Sequence, residues 1–260
     1  MRISLYIFML LGALILLQAE EKKVTTKALY SFFNQKSGEL VLKGNAMVAR
    51  EDITLHADKI LYMEQKKEAF ATGNVKLKSD DFILEAGQLR VYLQGNKTLK
   101  SLHEDDVLVI AQKHPRLTEK ADETGKLNQV TAVEIKFFKG DERIEAFENV
   151  KLVQMSTDGL QVHEEMVVTG KYMEYLHKRN KALVKGAVKL ESKDLGGKGD
   201  RLIYYQKGAK FYLIGKASVY EYDKNGRATN EISGNRILHL IKEKRTILMG
   251  NVEGNLEYNE

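Results

Sequence analysis

The chain has 260 residues, enough to bury a sizeable core without staples. It has no cysteine, which excludes a disulfide framework, a thiolate metal site, a cysteine nucleophile and a lipid-modified N-terminal cysteine. Lys and Arg number 41 against 36 Asp and Glu, a net of +5, and the signs are interleaved, without the basic tail or stripe that nucleic acid would require.

Residues 1–19 read as a signal peptide. Arg2 precedes an apolar run from Ile3 to Leu17, then Gln18, Ala19 and the charged run Glu20 to Lys23. The run is short for a spanning helix, so cleavage after Ala19 is the expectation, and retention as an inner-membrane anchor is the alternative. Val24 to Phe33 follows as a first strand with Lys27 as its one charge.

From here the sequence repeats. GNAMVAREDITLHADKI begins at Gly44, GNVKLKSDDFILEAGQL at Gly73 and GAVKLESKDLGGKGDRL at Gly186. In each, a small residue follows thirteen positions after the glycine: Ala57, Ala86 and Gly199. Apolar alternation runs up to that corner as Ile53, Leu55 and Ala57 or as Phe82, Leu84 and Ala86. It resumes one residue out of step as Ile60 and Tyr62, Leu89 and Val91, or Leu202 and Tyr204. A slip of one residue turns the apolar set to the other face unless the strand also bends or bulges there. A bend that keeps both arms on one interior is therefore expected. The period within arms is two: Val75 and Leu77 alternate with Lys76 and Lys78, and Val188 and Leu190 with Lys189 and Glu191.

Weaker copies start at Asp106-Val107, Asn149-Val150, Gly215 and Gly250, with further corners at Ala132, Gly170 and Gly234, giving seven units in all. Extra length falls in polar stretches: Gln112 to Asn128, after Met155, and Tyr222 to Asn230 with its hairpin signal Asn225-Gly226. The expected organisation is a signal peptide over 1–19, β-repeats over 20–111, a polar loop or insertion over 112–128 and β-repeats over 129–260. Stacked units of this kind form a quasi-one-dimensional all-β structure around an apolar interior.

The order Gly-Asn-Val, alternating strand, Ala-Asp-Lys-Ile-Leu-Tyr, carried by Gly44 to Tyr62, Gly73 to Tyr92 and Gly186 to Tyr205, resembles the OstA-type repeat of periplasmic lipopolysaccharide-transport proteins, the LptA family. The resemblance implies an open, V-shaped twisted β-jellyroll of stacked antiparallel strands, with an apolar groove for lipid acyl chains. It implies no catalysis and no cofactor. The lipid-binding residues expected on the apolar parity are Leu42, Ile60, Val75, Leu77, Phe82, Leu84, Val91, Val188, Leu190, Tyr204, Phe211 and Leu213. The implied partners are lipopolysaccharide or a similar glycolipid, an inner-membrane extraction complex, an outer-membrane acceptor and further copies joined head to tail; the implied place is the periplasm. A polysaccharide-binding β-solenoid, with Tyr212, Tyr220 and Tyr222 stacking on sugars, is the alternative of another class.

Other chemistry has weaker support. His163-Glu164-Glu165-Met166-Val167 lacks the second histidine of a zinc-protease helix and reads as a loop. His103-Glu104-Asp105-Asp106 reads as an acidic turn. Leu195-Gly196-Gly197-Lys198-Gly199-Asp200 lacks the Gly-Lys-Ser/Thr ending of a phosphate loop. No motif frames a serine nucleophile, and Asp80 and Asp81 stand at a turn. Non-enzymatic lipid transfer is the function expected.

Overall fold

The computed structural model describes residues 24–50, 53–96, 99, 106–121, 125–157, 162–205, 208–222 and 227–254. The leader, His103 to Asp105, Asn225-Gly226 and 255–260 lie outside them. In chain order the strands are β1 (Thr25–Lys27), β2 (Tyr30–Asn34), β3 (Glu39–Arg50), β4 (Ile53–Met63), β5 (Glu68–Lys78), β6 (Phe82–Tyr92), β7 (Leu108–Gln112), β8 (Arg116–Glu119) and β9 (Lys126–Thr131). They continue with β10 (Glu134–Phe138), β11 (Arg143–Thr157), β12 (Val162–Leu176), β13 (Lys181–Ser192), β14 (Leu195–Tyr205), β15 (Lys210–Tyr222), β16 (Ala228–Leu240), β17 (Arg245–Met249) and β18 (Glu253–Gly254). Apart from one 3-10 turn, His177–Arg179, the described regular structure is all strand.

The chain forms two compact units, one from Met1–Asp122 with Thr131–Ile144, the other from Glu123–Val130 with Glu145–Glu260. In the first, the long strands pair antiparallel in sequence order, and each register breaks once in its middle: between Lys43 and Ala46, between His56 and Lys59, and between Thr72 and Val75. At each break one strand carries one residue more than its neighbour, which is the arrangement of a β-bulge. Gly44-Asn45 and Gly73-Asn74 both face Asp58, and Gly73-Asn74 also faces Gly87.

The two-residue side of each corner bulge is left-handed at both residues. Gly73 has φ +72° and Asn74 φ +47°, and similar pairs stand at 44–45, 113–114, 148–149, 186–187, 215–216 and 250–251. Glycine takes such angles without a Cβ penalty, and asparagine tolerates them better than most residues. These seven pairs are the seven repeat starts. One of them corrects the sequence reading, because the third start is Lys113-His114 and not Asp106-Val107. Asp106 anchors a turn instead: its Oδ1 accepts the backbone N–H groups of Val107 at 2.7 Å and Gly140 at 2.6 Å.

Each bulge divides its strand into two arms, and the arms collect into two layers. One, the hairpin layer, adjoins four-residue turns such as 64–67; in the first unit it holds β2, β7, β10 and the matching arms of β3 to β6. The far layer holds β1, β8 and the other arms. Inward residues are buried on both: Leu42, Ile60, Ala71, Leu89 and Val91 from the hairpin layer, and Ala46, Leu55, Val75, Leu77 and Phe82 from the far layer. The second unit repeats this with β12 to β16, closed by β17 in the hairpin layer and β18 in the far layer.

Two expected elements differ. Val24 to Phe33 is broken at Ala28-Leu29, because it lies opposite the Gly44-Asn45 bulge; Leu29 N–H donates to the Gly44 carbonyl at 3.0 Å and its side chain covers the glycine. The stretch 112–128 carries a corner, β8 and the start of β9, so only a short connection remains between those strands. It divides a bent strand, since β6 pairs with β7 through Gln88 to Tyr92 and with β8 through Phe82 to Glu85.

The corner makes a quantitative prediction. A Cβ on Gly73 would run into the Asp58 carboxylate, whose two oxygens accept from Asn74 Nδ2 at 3.3 and 3.2 Å, whereas a Cβ on Gly95, also left-handed, would meet nothing within 4 Å. Gly95→Ala is expected to cost about 1 kcal/mol and Gly73→Ala about 2 kcal/mol or more, read from urea midpoints. The excess is expected to vanish when Gly73→Ala is made together with Asp58→Gly.

Candidate functional site

The apolar interior of each unit is the feature with capacity for a ligand. Of the twelve residues expected to line it, Leu42, Ile60, Val75, Leu77, Phe82, Leu84, Val91, Val188, Leu190, Phe211 and Leu213 are buried, and Tyr204 is half-buried. Their parity is inward as read. Their burial also means that they pack on one another: the interior at these residues is a filled slot between layers.

The glycine tract of β14 defines one part of that slot. Leu213 approaches from the hairpin layer, and its methyl groups lie 2.8 Å from where a Gly197 Cβ would stand and 3.5 Å from that of Gly199. Two missing side chains on the far layer are replaced by one leucine from the other. On the outer surface Gly196 has a different use, because the Tyr220 ring lies over it where a Cβ would collide. Tyr222 meets that ring edge-on at 5.5 Å and Lys198 Nζ sits 5.4 Å from its centre. Burial and the Tyr222 hydroxyl push the Tyr220 phenol up to about 12. The face it turns to Gly196 and the edge it shares with Tyr222 are thus taken by the chain itself.

Toward the edge strands the inward face is less covered. In the first unit Phe33, paired with Leu40, is 58% exposed, and Val24 is 40% exposed. In the second, Ile232 and Leu248 are half-buried while Ile237, Leu213 and Val219 behind them are fully buried. These edge residues continue the apolar parity at the two chain ends. They are the accessible part of the inward face, and the sequence-based set of twelve omits them. Their signal was present as unbroken alternation in the terminal repeats.

One end of the second unit's inward face is more polar. Tyr175, Ala182, Tyr204, Phe211, His239 and Thr246 form a row by register. His239 stacks on Phe211 at 5.1 Å, and its Nδ1 lies 3.0 Å from Thr246 Oγ1. Burial lowers the His239 pKa and raises that of the Tyr204 phenol, with a small opposing effect from Lys126 on Tyr204.

The other candidate motifs are structural. His163 to Val167 lies in β12, not in a loop; Glu165 pairs with Lys126 at 2.9 Å and Glu164 with Lys151 at 3.8 Å. Asp80 and Asp81 stand in the turn after β5, where Ser79 Oγ accepts the N–H groups of Asp81 and Phe82, each at 3.2 Å. Among the described residues no cluster of acidic and histidine side chains has the arrangement of a metal site.

The family model described as LptA/(LptD N-terminal domain) LPS transport protein matches residues 61–245. No curated protein matches the chain. Among solved structures, the crystal structure of LptH, the LptA homologous periplasmic component of the conserved lipopolysaccharide transport device from Pseudomonas aeruginosa, is similar over 64% of this chain and 84% of that one. The identity is 12% and the TM-score 0.29.

The half-buried imidazole gives a pH signature. Because burial disfavours its charged form, the folded pKa lies below the ordinary 6.5, so the unfolded chain binds the proton more readily. Stability from this residue is intact above about pH 6.5 and falls as pH drops from there through the depressed folded pKa. Urea midpoints measured across that window are expected to decline in the native chain and to flatten in His239→Gln.

Proposed function

Because the chain belongs to the LptA/LptD N-terminal domain family of lipopolysaccharide transport proteins, we propose that it serves as a periplasmic bridge that carries lipopolysaccharide from the inner to the outer membrane, with the acyl chains held between its two layers. The observation that carries this reading is the inward apolar face, filled in the middle of each unit, exposed at Phe33 and Val24 and only half-buried at Leu248. Acyl chains enter at those edges and part the layers, replacing contacts between side chains.

Magnitudes say what binds and what does not. Removing a twelve-carbon chain from water contributes up to about 9 kcal/mol at roughly 0.8 per methylene. An exposed lysine–phosphate pair contributes about 0–1. The acyl chains therefore supply the affinity. A chain leaving a bilayer is already out of water, so its transfer to the slot is close to neutral and has no inherent direction. Direction comes from an energy-coupled extraction complex at the inner membrane and an acceptor at the outer membrane.

Copies joined head to tail extend the path. Among the described residues β1 and β2 pair only with β3, and β17 and β18 only with β16, which leaves one backbone edge of each open to strand addition. Such joining does not close and gives rows.

Two experiments test this. A photoreactive residue at Phe33 or Leu248 should crosslink to lipopolysaccharide, and one at outward Lys76 or Lys189 should not; equal yield at both parities would overturn acyl binding on the inward face. Sedimentation velocity should show association that rises with concentration and is lost when 248–260 is deleted. A monomer at every concentration refutes the head-to-tail row.

A further inference from the structure

An antiparallel sheet with one face on a core usually turns a polar face to water. The outer face of the second unit's hairpin layer departs from this. By register, Leu183 faces Ile203, Ile203 faces Tyr212, Tyr212 faces Leu238 and Leu238 faces Ile247, so one apolar residue from each of five adjacent strands lies in a single row. At about 4.8 Å between strands the row is about 19 Å long. Leu183, Ile203, Tyr212 and Leu238 are half-buried, and Ile247 is exposed at 36%.

Cations flank this row on both sides, two residues away along each strand. On one side stand Lys185, Arg201 and Arg236; on the other, Lys181, Lys210 and Arg245. Tyr205 lies between Lys181 and Lys210 in register, with the two Nζ atoms 5.7 and 5.8 Å from its ring centre. Acidic residues on this face include Glu174 at the end of the apolar row, Glu145, which accepts from the Tyr172 hydroxyl at 3.4 Å, and Glu243, which pairs with Arg245 at 3.3 Å.

The first unit provides an internal comparison. Its equivalent row also begins apolar, with Phe32, Val41, Leu61 and Phe70, but the first residues after its hairpins are Glu39 and Glu68, where the second unit has Lys181 and Lys210. The positive flank on that side belongs to the second unit and is not imposed by the repeat.

We propose that this face docks the second unit onto an anionic lipid bilayer. An apolar row with tyrosines beside it fits the boundary between acyl chains and headgroups, and cations on both flanks fit the phosphates at that depth. Charge complementarity with an anionic leaflet selects this occupant, and acyl uptake on the inward face is not required for it.

The full chain should co-sediment with vesicles of phosphatidylglycerol and phosphatidylethanolamine, more weakly as salt rises, and not with vesicles of phosphatidylcholine alone. The triple variant Lys181→Glu, Lys210→Glu and Arg245→Glu should bind the anionic vesicles at least about tenfold more weakly with an unchanged urea midpoint. If that variant does not fold, Arg201→Glu with Arg236→Glu is the substitute. Lys43→Glu with Lys59→Glu in the first unit should leave binding unchanged. Equal binding to neutral vesicles, full binding by the reversed variants, equal loss in the first-unit variant, or binding of polyglutamate without binding of vesicles would each overturn the proposal.

Discussion

The structure depends on one local constraint, the bulge at which two left-handed residues face one residue on the adjoining strand. Without the extra residue, the slip in apolar parity at Asp58 or Asp200 would send half of each strand's apolar side chains into water. With it, the residue after the left-handed pair returns to the interior: Ala46, Val75, Val150, Val188 and Ala217 are all buried. The same bulge creates crowding, since the single residue lies across the pair, as Asp58 does over Gly73, Asp200 over Gly215 and Lys171 over Gly186. Glycine at the start of the pair relieves both backbone strain and that contact.

This explains how legible the fold was and where it was not. Gly44, Gly73, Gly186, Gly215 and Gly250 mark five of the seven corners directly. The third is made by Lys113 and His114, each at φ +61°, and here the missing Cβ is on the facing strand: a Cβ on Gly87 would stand 2.7 Å from that of Lys113. Crowding between two Cβ positions is relieved by deleting either, so a search for glycine on the bulged strand alone passes over this corner and finds Asp106-Val107 instead. The fourth corner, Glu148-Asn149, was visible only through asparagine.

The inward parity was equally legible, but depth was not. Alternation says which face a residue takes, and eleven of the twelve expected lining residues lie buried inside. It does not say how far apart two layers stand. That depends on side-chain volume across the gap, as where Leu213 fills the space above Gly197 and Gly199. Under the proposed function, a slot closed by its own side chains would suit a cargo that arrives already desolvated. Under that function, acyl carbons that replaced leucine and valine contacts would gain little and lose little, so loading and release could both proceed.

The outer surfaces follow a different logic from the interior. Inward residues and corners are held by packing, and they recur from repeat to repeat because the stack fails where they change. Outward residues are not held by the stack in this way, even where, as at Glu68, one is buried against Asn96. Leu61 and Ile203 occupy one outward position in two units, yet Glu39 and Glu68 in the first correspond to Lys181 and Lys210 in the second. The sequence segment Ile60-Leu61-Tyr62 already showed an apolar residue out of alternation, but only the register reveals that such residues align across five strands in the second unit. Where outward positions differ in charge between copies, the inward packing and the corners do not dictate the difference.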